Sequence, residues 1–141
     1  MITNERQYRI TKAEADRFAA AIEHSDEENA GAHPLLRDAM KASLESQLHD
    51  LRQELADYEA LRTGEVDVME LDSLNQLPEM LIRARIATRL TQKQLAERLG
   101  IKEQQIQRYE ATRYAAANLE RIQAVAEALG VRIQERVLLP H

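Results

Sequence analysis

Residues 91–110, TQKQLAERLGIKEQQIQRYE, restrict the folding of this chain more than any other stretch. Leu95, Ala96, Leu99, Ile101 and Ile106 form a regular apolar skeleton, and Gly100 interrupts it. Ala96 is small enough for two helices to approach closely at that point. Four residues on, Gly100 can take the left-handed conformation that ends a helix, because it has no Cβ to clash. Ile101 and Ile106 then return to the same core as Leu95 and Leu99. So short a connection makes the second helix cross the first steeply, with its outer face free. This spacing predicts a helix-turn-helix.

The free face is chemically specific. Lys102, Glu103, Gln104, Gln107 and Arg108 project from it. Gln pairs bidentately with adenine, Arg with guanine, and Glu accepts from the amino group of cytosine, so the face is suited to reading base edges. At the start of the preceding helix, Thr91, Gln92 and Lys93 offer backbone N–H groups and side chains to a phosphate. The formal net charge of −5 does not oppose this. Residues 1–70 hold 8 Lys+Arg against 16 Asp+Glu, a net of −8, whereas residues 71–141 hold 11 against 8, a net of +3. The acidity belongs to the first half, and such asymmetry predicts different partners for the two halves.

Only four Gly and three Pro interrupt the chain, and aromatic residues make up 4%, so long helices and an all-α fold are expected. Thr11 and Glu14 have the spacing of a capping box and predict a helix start, followed by a stripe of Ala15, Phe18, Ala19 and Ile22. That helix should fail in the acidic loop Ser25–His33, and Pro34 suits the first turn of the next helix. Leu44, Leu48, Leu51, Leu55 and Tyr58 then recur at steps of 4, 3, 4 and 3, the seam of a short coiled coil. Leu36 and Met40 extend the stripe upstream. A long helix with one apolar stripe needs a cover, which the first helix and a second copy of the chain can both provide. The expectation is a helical hairpin over residues 1–63 that dimerises through this seam or binds a partner.

TGEVDV, residues 63–68, carries Gly64 and no helical stripe, so residues 64–70 are expected to be a linker and residues 71–141 a separate domain. There, Asp72 or Ser73 caps a helical segment that Pro78 splits into a short turn and a main helix from Glu79 to Arg89. Helices near 91–99, 102–110 and 118–129 complete five helical segments. The alternation in VRIQERVLL, residues 131–139, suggests a short strand.

From Leu81 to Val131 the chain resembles the Cro/phage-repressor (Xre-type) helix-turn-helix family over about a third of its length. LTQKQLAERLGI, then QQIQRYE, then NLERIQAVAEALGV carry the likeness. The resemblance implies a sequence-specific regulator whose second motif helix lies in the major groove of double-stranded DNA. Glu103, Gln104 and Arg108 would then occupy base-contacting positions, flanked by Lys102 and Gln107. Gln92 matches a phosphate-binding position, and Arg113 and Tyr114 fall in a loop that runs along the backbone. Arg85 and Glu110 match a structural ion pair between the first helix and the end of the recognition helix. This chain departs from the pattern at two places. Lys102 replaces a small polar cap, and a Gly common near Thr112 is absent.

Other chemistries find no support. There is no Cys, hence no disulfide and no thiolate nucleophile or metal ligand, in keeping with a reducing cytoplasm. His24, His33, His49 and His141 lack metal-ligand spacing, and no serine has a base or Gly-rich turn near it. Neither an enzyme, a cofactor nor a metal is expected. The amino terminus is too polar for a secretory signal, and no apolar run approaches the roughly 18 residues of a membrane span. Two functions fit. In the first, a homodimeric regulator, expected to repress, binds a two-fold operator. In the second, an antitoxin or adaptor grips a basic, toxin-like protein with its acidic half while its C-terminal domain controls its own operon.

Overall fold

A computed structural model describes residues Met1–His141. The chain is all-helical, with no strand, and separates into two compact units, Met1–Ala60 and Leu61–His141. The division falls inside the long third helix, a few residues before Gly64.

In the first unit, helix α1 spans Glu5–Glu23. Its cap is Asn4, whose side chain accepts from the Gln7 backbone N–H at 2.8 Å. The start expected at Thr11 is therefore corrected. Asn4 supplies a good cap earlier in the chain, and Thr11 lies inside a helix already formed. Part of the expected acidic loop folds into a single turn, α2 (Ser25–Glu28), whose Asp26, Glu27 and Glu28 suit the positive end of the helix dipole. Helix α3 runs from Pro34 to Thr63, 30 residues, so it is about 45 Å long at 1.5 Å per residue.

Helices α1 and α3 run antiparallel. Tyr8 stacks on Tyr58 with ring centroids 5.2 Å apart, the Tyr8 hydroxyl donates to Glu59, and the Tyr58 hydroxyl donates to Glu5 at 3.4 Å. Near the other end, Lys41 pairs with Asp26 at 3.9 Å. The stripe on α3 is covered within the single chain. Leu48, Leu55 and Tyr58 are buried, at 7, 9 and 6% exposure, and Leu44 and Leu51 are half-buried. Leu48, Leu55 and Tyr58 of the expected dimer seam are thus packed within the single chain, while Leu44 and Leu51 keep part of their surface in water.

In the second unit, Leu61 is buried and Arg89 Nε donates to the Arg62 carbonyl at 3.2 Å. Ser73, of the two expected caps, accepts from the Asn75 backbone N–H and opens a 3-10 turn over Leu74–Gln76. Helix α4 (Leu77–Ala87) follows directly, with Pro78 in its first turn. It buries Leu77, Leu81, Ile82, Ala84, Arg85 and Ile86, six of its eleven residues. Helices α5 (Gln92–Leu99), α6 (Glu103–Ala111) and α7 (Leu119–Leu129) lie close to the expected positions. Leu61, Leu81, Ile82, Leu95, Ile106 and Val125 are the largest fully buried side chains of the core. Residues 131–141 have no regular structure, which corrects the expected strand: with no neighbouring strand, its backbone groups have nothing to pair with. No helix is long and apolar enough to cross a membrane.

Candidate nucleic-acid interface

The site is built on α5, the turn after it, and α6. Thr91 caps α5 through a complete capping box. Its hydroxyl accepts from the Gln94 N–H at 3.0 Å, while the Gln94 side chain accepts from the Thr91 N–H at 2.9 Å. Gly100 closes the helix at φ 68°, a backbone region that costs residues with a Cβ about 1–2 kcal/mol. The Ile101 N–H then donates to the Ala96 carbonyl at 3.0 Å, turning the chain sharply into α6. With Leu95 and Ala96 buried below and Ile106 fully buried on α6, the crossing of the two helices is set by packing.

This packing leaves one side of α6 in water. Lys102, Glu103, Gln104, Gln107 and Arg108 are all exposed. Lys102 holds the cap position without capping, since an ammonium cannot accept a hydrogen bond. Gln105 supplies half of the usual arrangement by accepting from the Lys102 N–H at 3.2 Å. Glu103 lies in the first turn, where its charge suits the helix dipole.

The opposite side of α6 is anchored by a buried ion pair. Arg85 Nε and Nη2 donate to the two carboxylate oxygens of Glu110 at 2.6 and 2.9 Å, with both side chains at most 3% exposed. Arg85 Nη1 also donates to the Leu90 carbonyl at 2.8 Å. Gln92 belongs to the same cluster. Its side chain is buried and Nε2 donates to Glu110 at 3.0 Å. A buried pair of this kind is tolerated only when its remaining hydrogen-bonding capacity is also met, and Leu90 and Gln92 meet it here. Gln92 therefore turns its side chain inward, leaving its backbone N–H, with that of Lys93, as the unpaired donors at the helix start. Thr91 and Lys93 are exposed at this end.

The loop after α6 differs most from expectation. Arg113 and Tyr114 both adopt positive φ, at 54° and 56°, in the absence of a glycine. Tyr114 is turned into the protein, 3% exposed, and stacks nearly parallel on Tyr109 with centroids 5.4 Å apart. Its hydroxyl has no hydrogen-bond partner. Burial, followed by the nearby Glu110 carboxylate, holds this phenol well above the usual tyrosine range. The expected phosphate contact by Tyr114 is thus corrected: a buried hydroxyl cannot reach a phosphate. Arg113 stays half-exposed, with its guanidinium 3.7 Å from Glu79.

Two further braces carried no signal in the sequence. Arg98 Nη1 donates to the Ala128 carbonyl at 2.8 Å, tying α5 to the end of α7, and the Arg121 guanidinium lies 6.0 Å from the Tyr109 ring centroid. Both depend on a tertiary approach that local spacing does not encode.

A model of the helix-turn-helix family matches residues 81–136, from within α4 to beyond α7. Residues 81–136 are a helix-turn-helix domain of the Cro/phage-repressor type. This family consists of DNA-binding transcription regulators. Neither a curated protein nor a solved structure matches the chain. In this helix-turn-helix domain α5 and α6 are the two helices of the motif, and the Arg85–Glu110 pair joins α4 to α6.

Proposed function

We propose that the chain is a sequence-specific transcriptional regulator that binds DNA as a dimer on a two-fold operator and represses the adjoining gene. One observation carries this reading: Glu103, Gln104, Gln107 and Arg108, all able to pair with bases or phosphates, are exposed on α6 with Lys102 exposed at its N-cap, while Ile106 and Glu110 hold the helix to the core. In the bound state Glu103, Gln104 and Arg108 meet base edges, with Lys102 and Gln107 beside them. Thr91, Lys93, the backbone N–H of Gln92 and the side chain of Arg113 face phosphates. The dimer follows from reach, because one recognition helix spans too few base pairs for useful specificity, and a second copy supplies the other half-site.

The test is binding of the purified protein to a duplex from upstream of its own gene, against a random duplex of equal length, over a salt series. A strong preference that weakens steeply with salt is expected. Equal affinity for both duplexes contradicts the proposal.

A second reading rests on the net charge of −8 over residues 1–70. Here the first unit also binds a basic, toxin-like protein, and the DNA-binding domain controls the shared operon. Co-purification of a small basic protein encoded beside this chain supports it, and its repeated absence argues against it.

A further inference from the structure

At 100° per residue, the exposed residues of the first turns of α3 sort into two arcs. Leu35, Leu36, Ala39, Met40, Ser43, Ser46 and Gln47 share an arc of about 140°. All seven are exposed, with Leu35 at 73%, Leu36 at 54% and Met40 at 39%. No charged residue interrupts this face between residues 35 and 47. The four charged residues of that stretch, Arg37, Asp38, Lys41 and Glu45, lie on the opposite arc, where Lys41 pairs with Asp26 of the same unit. In a chain with 30% charged residues, a solvated helix face of more than three turns without charge calls for a partner.

We infer that this face is where two copies of the chain meet across a two-fold axis. The charge pattern selects the occupant. A basic protein would be drawn to carboxylates, which this face lacks, whereas a second copy with the same net charge of −8 over its first 70 residues is tolerated only where no charges oppose each other. Ala39, Ser43 and Ser46 let the two helix axes come close, and Leu35, Leu36 and Met40 close the contact on either side. The face is isologous, as a two-fold interface requires. It is also smaller than a standard interface, so the dimer is weak in free solution and is completed on DNA. This assignment rests on the two-fold reading above and replaces Leu44, Leu48, Leu51, Leu55 and Tyr58 as the means of pairing.

A salt dependence follows. Like charges around the contact are screened as salt rises, so self-association strengthens with salt while DNA binding weakens. Sedimentation equilibrium of the full chain without DNA tests this at low and high salt. The wild type is expected to show a reversible monomer–dimer equilibrium that shifts toward dimer at high salt. Ala39→Arg, at an exposed helical position, is expected to weaken it by roughly tenfold or more, about 1.4 kcal/mol, with helical content unchanged. Because the chain has no native Cys, Ser43→Cys can be cross-linked with a short bismaleimide and compared with Glu45→Cys on the opposite arc. Faster cross-linking at residue 43 is expected. A monomer at all concentrations, a dimer indifferent to Ala39→Arg, or equal cross-linking at 43 and 45 overturns the assignment. Binding of Ala39→Arg to a single half-site duplex at wild-type affinity shows that the DNA-reading proposal stands even where the interface fails.

Discussion

The pair α5–α6 and the pair α1–α3 each bury one side and leave the other in water, but they obtain their geometry differently. Between α5 and α6 the connection is so short that Ala96, Gly100 and Ile106 define how the helices cross, and a buried ion pair locks the result. Between α1 and α3 the connection is longer, and contacts such as the Tyr8–Tyr58 stack define the pairing. A tight turn thus makes local sequence decisive. A long helix leaves the choice of cover to the rest of the chain.

The largest way to break this comparison is to remove the lock. Arg85→Ala leaves the Glu110 carboxylate buried without its counter-charge, with only the Gln92 amide still donating to it, which is expected to cost about 3–5 kcal/mol. Urea unfolding followed by circular dichroism should show the cost, and a loss under 1 kcal/mol would mean that packing alone holds α6. On the other pair, Leu55→Ala is expected to cost about 2–5 kcal/mol by removing buried atoms and leaving a cavity. Sedimentation should show an unchanged monomer–dimer equilibrium for the folded variant. Dimer loss without loss of stability would return the stripe to an intermolecular role.

A smaller effect tests the reading face. Arg108→Ala is expected to relax preference at one base position by about 1–3 kcal/mol while leaving folding intact. A uniform loss across all sequences would instead make Arg108 a phosphate contact. The smallest effect concerns Tyr114. Tyr114→Phe deletes a buried hydroxyl that has no partner, and is expected to stabilise the domain by up to about 1 kcal/mol without changing DNA affinity. A drop in affinity would show that the side chain reaches the DNA after all.

The same contrast explains how much of the molecule was legible. The helix-turn-helix was readable because Ala96, Gly100 and Ile106 act within a few residues of one another. The exposure of Lys102, Glu103, Gln104, Gln107 and Arg108 followed from that skeleton. The inward turn of Gln92 was not readable, since it depends on where Glu110 arrives, 18 residues later. Tyr114 was misplaced for a related reason: the absence of a glycine near Thr112 signalled an altered loop, but only the two successive left-handed residues show that the ring swings inward. In the first half, periodicity revealed a stripe that needed covering but not what covers it. The earlier start of α1 had a local signal, Asn4 followed by Gln7, which shares its spacing with the competing pair Thr11 and Glu14.

The central claim is that α6 reads a two-fold DNA sequence. Selection of bound duplexes from a randomised pool, run in parallel with the wild type and Arg108→Ala, tests it most directly. The expected result is an inverted repeat with half-sites about 10 base pairs apart, and one base position per half-site that loses its preference in the variant. No enriched sequence with the wild type, or an identical motif from both proteins, would contradict the account.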